Sequence, residues 1–314
     1  MKTSNTDVLE PTSSTEKVGV LTGMAAARRR RRAETPRAHF KRYQLFYYLF
    51  LGAMSFSSIA AFGWVFNISM KTNQEFIGTR PYTLAEGFQW VNYVNAWSNA
   101  NVGVFFWNSI LVSSVATILG VVVSAFAAYP LSRVRFRFSG TILTFFLMGL
   151  MVPWMVTFIP LYFTLQAMSL LNTRTGLILI YATYNIPFNL FVLVGFMKTL
   201  PSELEEAAAV DGASPLATFL RIIAPLTGPG LASVTIISFL NNWNEFFYAL
   251  VFISSESRMT LPLGLFRLGQ AADYGTNWVT LFAGMMITIV PVLIVFALLQ
   301  RQVTRGLTAG ALKG

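Results

Sequence analysis

The stretch EEAAAVDGASPLATFLRIIAP, residues 205–225, lies between two apolar runs at about 176–198 and 229–252. Each run is long enough to cross a hydrocarbon core of about 30 Å as a helix. Further runs of the same kind lie at about 45–66, 105–128, 141–165 and 278–299. Because a chain in lipid must satisfy its own backbone hydrogen bonds, these runs predict an all-α integral membrane protein with six transmembrane helices.

Composition supports this fold class and excludes several kinds of chemistry. Of the 314 residues, 54% are hydrophobic and 11% are charged, whereas about a quarter are charged in soluble proteins. The short alternating segments of a β-barrel are absent. The chain has no cysteine and one histidine, His39, which excludes disulfides and thiolate metal sites. No phosphate-binding GxxxxGK[ST] loop, Ser/His/Asp set or glycine-rich dinucleotide loop occurs, so we expect neither an enzyme nor a cofactor in this chain.

The quoted stretch itself has the local signals of two short helices joined by a turn. Ser202 and Glu205 have the spacing of a capping box, which predicts a helix from about Glu203. Gly212 provides a left-handed stop, and Ser214-Pro215 predicts the start of a second helix. The second helix carries apolar residues at one-face spacing and is closed by Pro225. Those apolar residues are Leu216, Phe219, Leu220 and Ile223.

The distribution of positive charge predicts the orientation of the chain. If both termini lie on one side, that side holds 18 of the 23 Lys and Arg residues. The positive-inside rule then places both termini and the quoted stretch in the cytoplasm. The residues nearest the membrane, Lys41, Arg42 and Arg133, carry most weight, together with Arg135 and Arg137.

The first 40 residues form a polar, basic segment that we expect to be disordered and cytoplasmic. Its run Arg28–Arg32 is of a kind that binds nucleic acid or acidic partners, but it lies close to the first apolar run. Anionic lipid attracts basic segments at that position, so we favour an anchor at the membrane surface and expect no nucleic acid partner. A signal peptide is not predicted, because no short cleavable apolar region follows.

Three motifs resemble the permease subunits of ABC importers. The EAA loop of that family has the pattern E-A-A-x3-G-x9-I-x-L-P, and this chain departs from it at Ala224, where leucine is usual. The matching residues, together with Asp211, are Glu206, Ala207, Ala208, Gly212, Ile222 and Pro225. The tail QRQVTRGLTAGALKG, residues 300–314, and NNWNEFFYAL, residues 241–250, resemble the carbohydrate-uptake (maltose-type) branch. The resemblance covers about residues 40–314.

The resemblance implies the six-helix fold of an ABC type I importer permease. Residues 41–299 would be the transmembrane domain, with a coupling loop at 200–225 and a cytoplasmic tail at 300–314. The partners implied are a sister permease, two ATPase subunits that bind ATP and Mg, an extracytoplasmic solute-binding protein, membrane lipid and the sugar. The tail would dock between the ATPase subunits in a cell inner membrane complex. Its docking residues would be Gly306, Leu307, Thr308, Ala309, Gly310, Lys313 and Gly314.

Polar residues inside the apolar runs predict a translocation path. Asn241, Glu245 and Tyr248 have one-face helical spacing, and an ionisable group in the membrane needs water or a partner. Asn185 and Asn189 flank Pro187, a predicted kink. Trp243 adds an aromatic face suited to sugar C–H surfaces. Contacts that hold helices together at the permease–permease interface explain the same residues equally well.

Two further features leave alternatives open. Pro153 and Pro160 predict either bends that shape a cavity or irregular packing in the third helix. The aromatic outer segment 67–104 either meets the solute-binding protein or lies at the membrane interface. Its aromatic residues are Tyr82, Phe88, Trp90, Tyr93 and Trp97. An ion-coupled secondary transporter, or a membrane scaffold or sensor subunit, would be the competing functional class.

Overall fold

The structure is a computed structural model that describes residues 42–134, 136–272 and 277–311. The basic N-terminal segment, Arg135, Lys313 and Gly314 lie outside the described residues. Every regular element in the described ranges is helical.

The longer helices in chain order are α1 (Arg42–Ser69), α4 (Val102–Arg133), α5 (Ser139–Met148), α6 (Phe158–Ala167), α7 (Arg174–Met197), α11 (Gly228–Asn244), α13 (Leu261–Ala272) and α14 (Trp278–Ala311). The shorter helices between them are α2 (Asn73–Gly78), α3 (Val91–Val94), α8 (Glu203–Val210), α9 (Pro215–Thr218), α10 (Ala224–Leu226) and α12 (Phe247–Phe252). Single π-helical turns at Asn95–Asn99 and Phe219–Ile223 and 3₁₀ turns at Gly149–Met151, Trp154–Thr157 and Glu256–Arg258 complete the set.

The predicted membrane spans correspond to helices of two kinds. Helices α1, α4 and α7 are each long and apolar enough to cross a membrane unbroken. Two helix pairs are apolar enough to cross a membrane only when each pair is taken together, and both are sharply bent, by 102° between α5 and α6 and by 76° between Pro215–Leu226 and α11. The described residues thus give three spans, or five if each bent pair is one span. The sixth predicted run, at 278–299, lies in α14, whose described apolar part is Trp278–Ile294.

The chain divides into two units, residues 1–61 and 62–314. In the first unit, the described residues form one apolar helix whose described side chains are all exposed. Such a surface is stable only against lipid or another apolar partner.

The second unit is built around the contact between α4 and α7, the most extensive helix contact in the described residues. Small residues allow the two backbones to approach closely, as is common between membrane helices. A Cβ atom built on Gly120 would lie 2.8 Å from the carbonyl oxygen of Ala182. This position therefore admits no side chain.

The third apolar run does not form one helix. The chain bends sharply between Met151 and Trp154, where Pro153 removes a backbone donor. Pro160 lies in the first turn of α6 and causes no break there, since the first turn of a helix tolerates proline. Of the two interpretations left open for these prolines, a bend is confirmed at Pro153, whereas the helix is unbroken at Pro160.

Each end of α4 makes side-chain hydrogen bonds to a different segment of the second unit. At 32 residues, α4 is roughly 48 Å long. At its N-terminal end, Asn108 Nδ2 donates to the carbonyl oxygens of Ser257 and Met259, over 3.0 and 2.8 Å. At its C-terminal end, Arg133 contacts residues 197–205.

The segment before α4, residues 67–101, is folded by buried amide hydrogen bonds. Asn92 Nδ2 donates to the carbonyl oxygens of Ser69 and Lys71 over 2.9 and 2.8 Å. Thr72 and Glu75 form a capping box at the start of α2, and the hydrogen bond from the Thr72 backbone lowers the pKa of the Glu75 carboxyl. Most of the aromatic side chains of this segment point outward; those exposed are Tyr82, Phe88, Trp90 and Trp97.

Candidate functional site

The first helix of the 200–225 loop begins as predicted at Glu203, but the predicted capping box is wrong. Ser202 has helical dihedral angles and its side chain makes no capping hydrogen bond. Glu205, the other half of the predicted box, instead forms an ion pair with Arg133 at 2.6 Å. The Arg133 guanidinium is itself charged and brings two nitrogens, Nε and Nη2, to this carboxylate, whereas a capping bond would bring one uncharged backbone N–H.

The turn after α8 is a Schellman motif centred on Gly212. Gly212 has φ +74°, in the left-handed region. Its N–H donates to the carbonyl oxygen of Ala209 over 3.1 Å, and the N–H of Ala213 donates to that of Ala208 over 2.9 Å. These bonds satisfy carbonyls at the end of the helix. The predicted glycine stop is confirmed.

The second helix of the loop also starts where predicted. The Ser214 hydroxyl accepts a hydrogen bond from the Ala217 backbone, and Pro215 occupies the first helical position. A single π-helical turn follows, and the chain bends after Leu226 rather than at Pro225.

The apolar stripe of this second helix is divided between two environments. Phe219 and Ile223 are buried, and the Phe219 ring packs 5.1 Å from those of Phe126 and Tyr129 in α4. Leu216 and Leu220 are 56% and 50% exposed, so the predicted apolar face is only partly covered. The two pairs lie about 60° apart around the helix, and the core of the chain covers only one of them.

The loop residues that match the EAA pattern are mostly accessible. Glu206, Ala207, Asp211, Gly212 and Pro225 are exposed, whereas Ala208 is buried and Ile222 is half-buried. Val210 adds an apolar side chain that is 89% exposed. The exposed residues of the loop thus include an acidic residue of the first turn and several apolar side chains. We call this set the docking surface: Glu206, Ala207, Val210, Leu216 and Leu220.

The fifth apolar run is broken where one continuous helix was predicted. Helix α11 ends at Asn244, Glu245 is extended, and α12 begins at Phe247. The Glu245 carboxylate accepts hydrogen bonds from the N–H groups of Tyr248 (2.8 Å) and Ala249 (3.2 Å). It also accepts one from the hydroxyl of Tyr181, over 2.5 Å. A carboxylate at the start of a helix satisfies N–H groups that have no partner within the helix, and so it stabilises the break.

Polar side chains join α4, α7 and α11 within this one chain. Asn185 Nδ2 donates to Asn242 Oδ1 over 2.8 Å, and Asn242 Nδ2 donates to Thr117 Oγ1 over 3.0 Å. Ser238 donates to Asn189 Oδ1 over 3.0 Å. Asn185 and Asn189 therefore have a structural role inside the subunit, and α7 runs through Pro187 without interruption.

Beside this network lies a cleft made of two adjoining pockets of about 390 and 440 Å³. The pockets share Trp154, Tyr184 and Asn241. Asn185 lines the first, and Glu245 and Tyr248 line the second. The break at Pro153 forms one wall, since residues 149–154 all line the first pocket.

Some predicted path residues lie elsewhere, and some lining residues were not predicted. Trp243 is 1% exposed and packs against Phe106 and Phe239 in the core, and Asn189 is also buried; neither lines the cleft. Trp154 and Tyr184 do line it. The only sequence signal for either residue was Pro153, next to Trp154, which predicted a bend that shapes a cavity.

The C-terminal tail continues the last helix. Helix α14 extends through the predicted docking residues 306–310 to Ala311. Within the described part of the chain, no group of three His, Cys, Asp or Glu side chains is placed to hold a metal ion.

Comparison with known proteins identifies the family. The family described as "Binding-protein-dependent transport system inner membrane component" matches residues 120–309. The chain belongs to this family. It is a permease subunit of an ABC importer, as the EAA spacing and the tail predicted.

Its relatives cover most of its length. The diacetylchitobiose uptake system permease protein NgcG of Streptomyces coelicolor is 36% identical over 80% of this chain and 82% of its own. The trehalose/maltose transport system permease protein MalG of Thermococcus litoralis is 31% identical over 85% of this chain and 96% of its own. Among solved structures, a bacterial ABC transporter involved in the import of the acidic polysaccharide alginate shares the fold, with a TM-score of 0.74 and 20% identity over 84% of this chain and 97% of the matched chain.

Proposed function

We propose that this permease moves a carbohydrate inward across the cell membrane, driven by ATP hydrolysis on separate ATPase subunits. The docking surface carries the proposal. The loop is fixed to the subunit by Phe219 and Ile223, while Leu216, Leu220 and Val210 are left uncovered. An uncovered apolar edge on a firmly anchored loop is suited to a partner protein.

Sugar as the substrate is supported by the relatives and by the cleft. The relatives above are named for diacetylchitobiose and for trehalose and maltose. The cleft combines aromatic rings with amides at Asn185, Asn241 and Asn244. Aromatic rings suit the C–H faces of sugars, and amides donate to and accept from sugar hydroxyls.

The positions of the loops support the orientation. The 200–225 loop is bonded to Arg133 at the C-terminal end of α4, and the aromatic segment 67–101 precedes the N-terminal end of α4. We infer that the loop and both termini face the cytoplasmic ATPase subunits. The aromatic segment then faces outward, toward the solute-binding protein and the membrane interface. A sister permease would cover part of the exposed apolar surface, with lipid over the rest.

Reconstitution in vesicles tests the function. We expect vesicles with this chain, its sister permease, the ATPase and the binding protein to accumulate labelled oligosaccharide only with ATP supplied to the ATPase side. An ATPase variant with a mutated phosphate loop serves as the control. Uptake driven by an ion gradient without ATP would instead identify a secondary transporter.

A chain that ends at Arg305 tests the tail in the same vesicles, where we expect lower sugar-stimulated ATP hydrolysis at equal permease abundance.

The Glu245→Gln variant tests the cleft as part of the translocation path. Its amide nitrogen cannot accept a hydrogen bond, so an N–H at the start of α12 loses its partner, at a cost of about 1–3 kcal/mol. We expect sugar uptake to fall about tenfold while the sister permease is still retained in a pull-down. Loss of the sister permease would make Glu245 an interface residue, and unchanged uptake would remove it from the path.

A further inference from the structure

Arg133, the last residue of α4, contacts three segments of the chain. Its Nε donates to Glu205 Oε2 over 2.7 Å, and Nη2 lies 2.6 Å from the same oxygen. Nη1 donates to the carbonyl oxygens of Leu200 (2.8 Å) and Met197 (3.3 Å), and Nη2 donates to that of Pro201 (2.9 Å). One side chain thus joins the end of α4, the end of α7 and the first turn of α8.

Partial burial and several hydrogen bonds strengthen the Arg133–Glu205 ion pair. The Arg133 side chain is 8% exposed and that of Glu205 is 22% exposed, so water screens the pair less than it would screen a surface pair. The carbonyl groups of Leu200 and Pro201 lie between two helices, and a guanidinium supplies donors to both at once. The carbonyl of Met197 also accepts a hydrogen bond from the Leu200 N–H. A lysine has a single charged nitrogen and cannot reproduce this fork.

The neighbouring carboxylates Glu205 and Glu206 have different surroundings. Glu205 is half-buried and pairs with Arg133, whereas Glu206 is exposed on the docking surface. The inner carboxylate therefore fixes the helix to its own subunit, and the outer one remains accessible to a partner.

We propose that Arg133 is a positioning residue that fixes the orientation of α8 on the ends of α4 and α7. When the docking surface is displaced, α8 then moves together with the ends of α4 and α7 and does not rotate independently of them. This inference rests on the coupling function proposed above. It assigns Arg133 a role in how much sugar is moved for each ATP, distinct from whether the ATPase binds.

The test measures sugar imported per ATP hydrolysed, with the complete complex in vesicles. For Arg133→Gln we expect this ratio to fall about tenfold, in line with the loss of charge-assisted hydrogen bonds, while the ATPase still co-purifies. Arg133→Lys should restore part of the ratio, since it keeps the ion pair. Arg137→Gln removes an equal charge from the same connection, at an exposed side chain that stacks on Phe138, and should leave the ratio unchanged.

Two more variants separate the possible outcomes. Glu205→Gln leaves the carbonyl contacts in place, so it tests the ion pair even if Arg133→Gln fails to insert. A normal ratio in both Arg133→Gln and Glu205→Gln would overturn the positioning role. If the Gly212→Pro variant also transports sugar normally, the proposed coupling of this loop to the ATPase is wrong.

Discussion

In the Gly212→Pro variant, the ATPase subunits should no longer co-purify with the permease, although the permease itself still inserts. Proline fixes φ near −65° and has no N–H, whereas Gly212 has φ +74° and donates to Ala209. The Schellman turn cannot form, so α8 and the second helix lose their relative orientation. A cost of about 3 kcal/mol at the docking surface corresponds to about a hundredfold weaker ATPase binding.

Gly212→Asn is the matched control for this prediction. Asparagine adopts the left-handed region more readily than other residues with a side chain and keeps the N–H group. A Cβ atom at this position meets no atom within 4 Å. We expect near-normal ATPase recovery for Gly212→Asn, measured by pull-down at equal permease abundance. Normal recovery for Gly212→Pro would exclude the loop from ATPase docking.

The Gly120→Leu variant should fail to accumulate as a folded permease. Its Cβ atom would lie 2.8 Å from the backbone oxygen of Ala182, and a backbone group can move away only by separating α4 from α7. Overpacking of this kind costs about 3 kcal/mol or more, a large share of the roughly 5–15 kcal/mol that stabilises a folded protein. We expect less than about a tenth of the normal monodisperse protein after detergent extraction, measured by size-exclusion chromatography.

Gly195→Leu makes the same change in α7 at an exposed position, where a Cβ atom meets nothing within 4 Å. It controls for the general effect of replacing a membrane-helix glycine with leucine, and the extracted subunit should remain monodisperse. Equal yields from Gly120→Leu and Gly195→Leu would show that the close approach at Ala182 is not required.

The Gly120 and Gly212 predictions test two parts of the same structure: the packing of the membrane helices and the loop at their end. Gly120 governs whether α4 and α7 pack together. Gly212 governs how the loop at their common end presents its uncovered side chains. Arg133 and Phe219 connect α4 to the loop: Arg133 reaches from the end of α4 to Glu205, and Phe219 packs from the loop against Phe126 of α4.

The sequence by itself determined the features that depend on neighbouring residues. Apolar runs of about 20 residues marked the membrane helices, because bilayer thickness sets the length of a span. Gly212 marked the turn and Ser214-Pro215 the start of the next helix, because these conformations follow from the local geometry of those residue types. The spacing of the loop also predicted the permease family before any structural comparison.

Tertiary structure alone decided which partner each polar or apolar side chain has. Glu205 had the spacing of a cap but pairs with Arg133, 72 positions away. Glu245 had the spacing of a helical face but ends the helix, because Tyr181, 64 positions away, and the start of α12 bind its carboxylate. Phe219 and Leu216 share one stripe, but Phe219 is buried against α4 whereas Leu216 is exposed. Periodicity shows which residues share a side of an element; which neighbour covers that side depends on how distant segments pack.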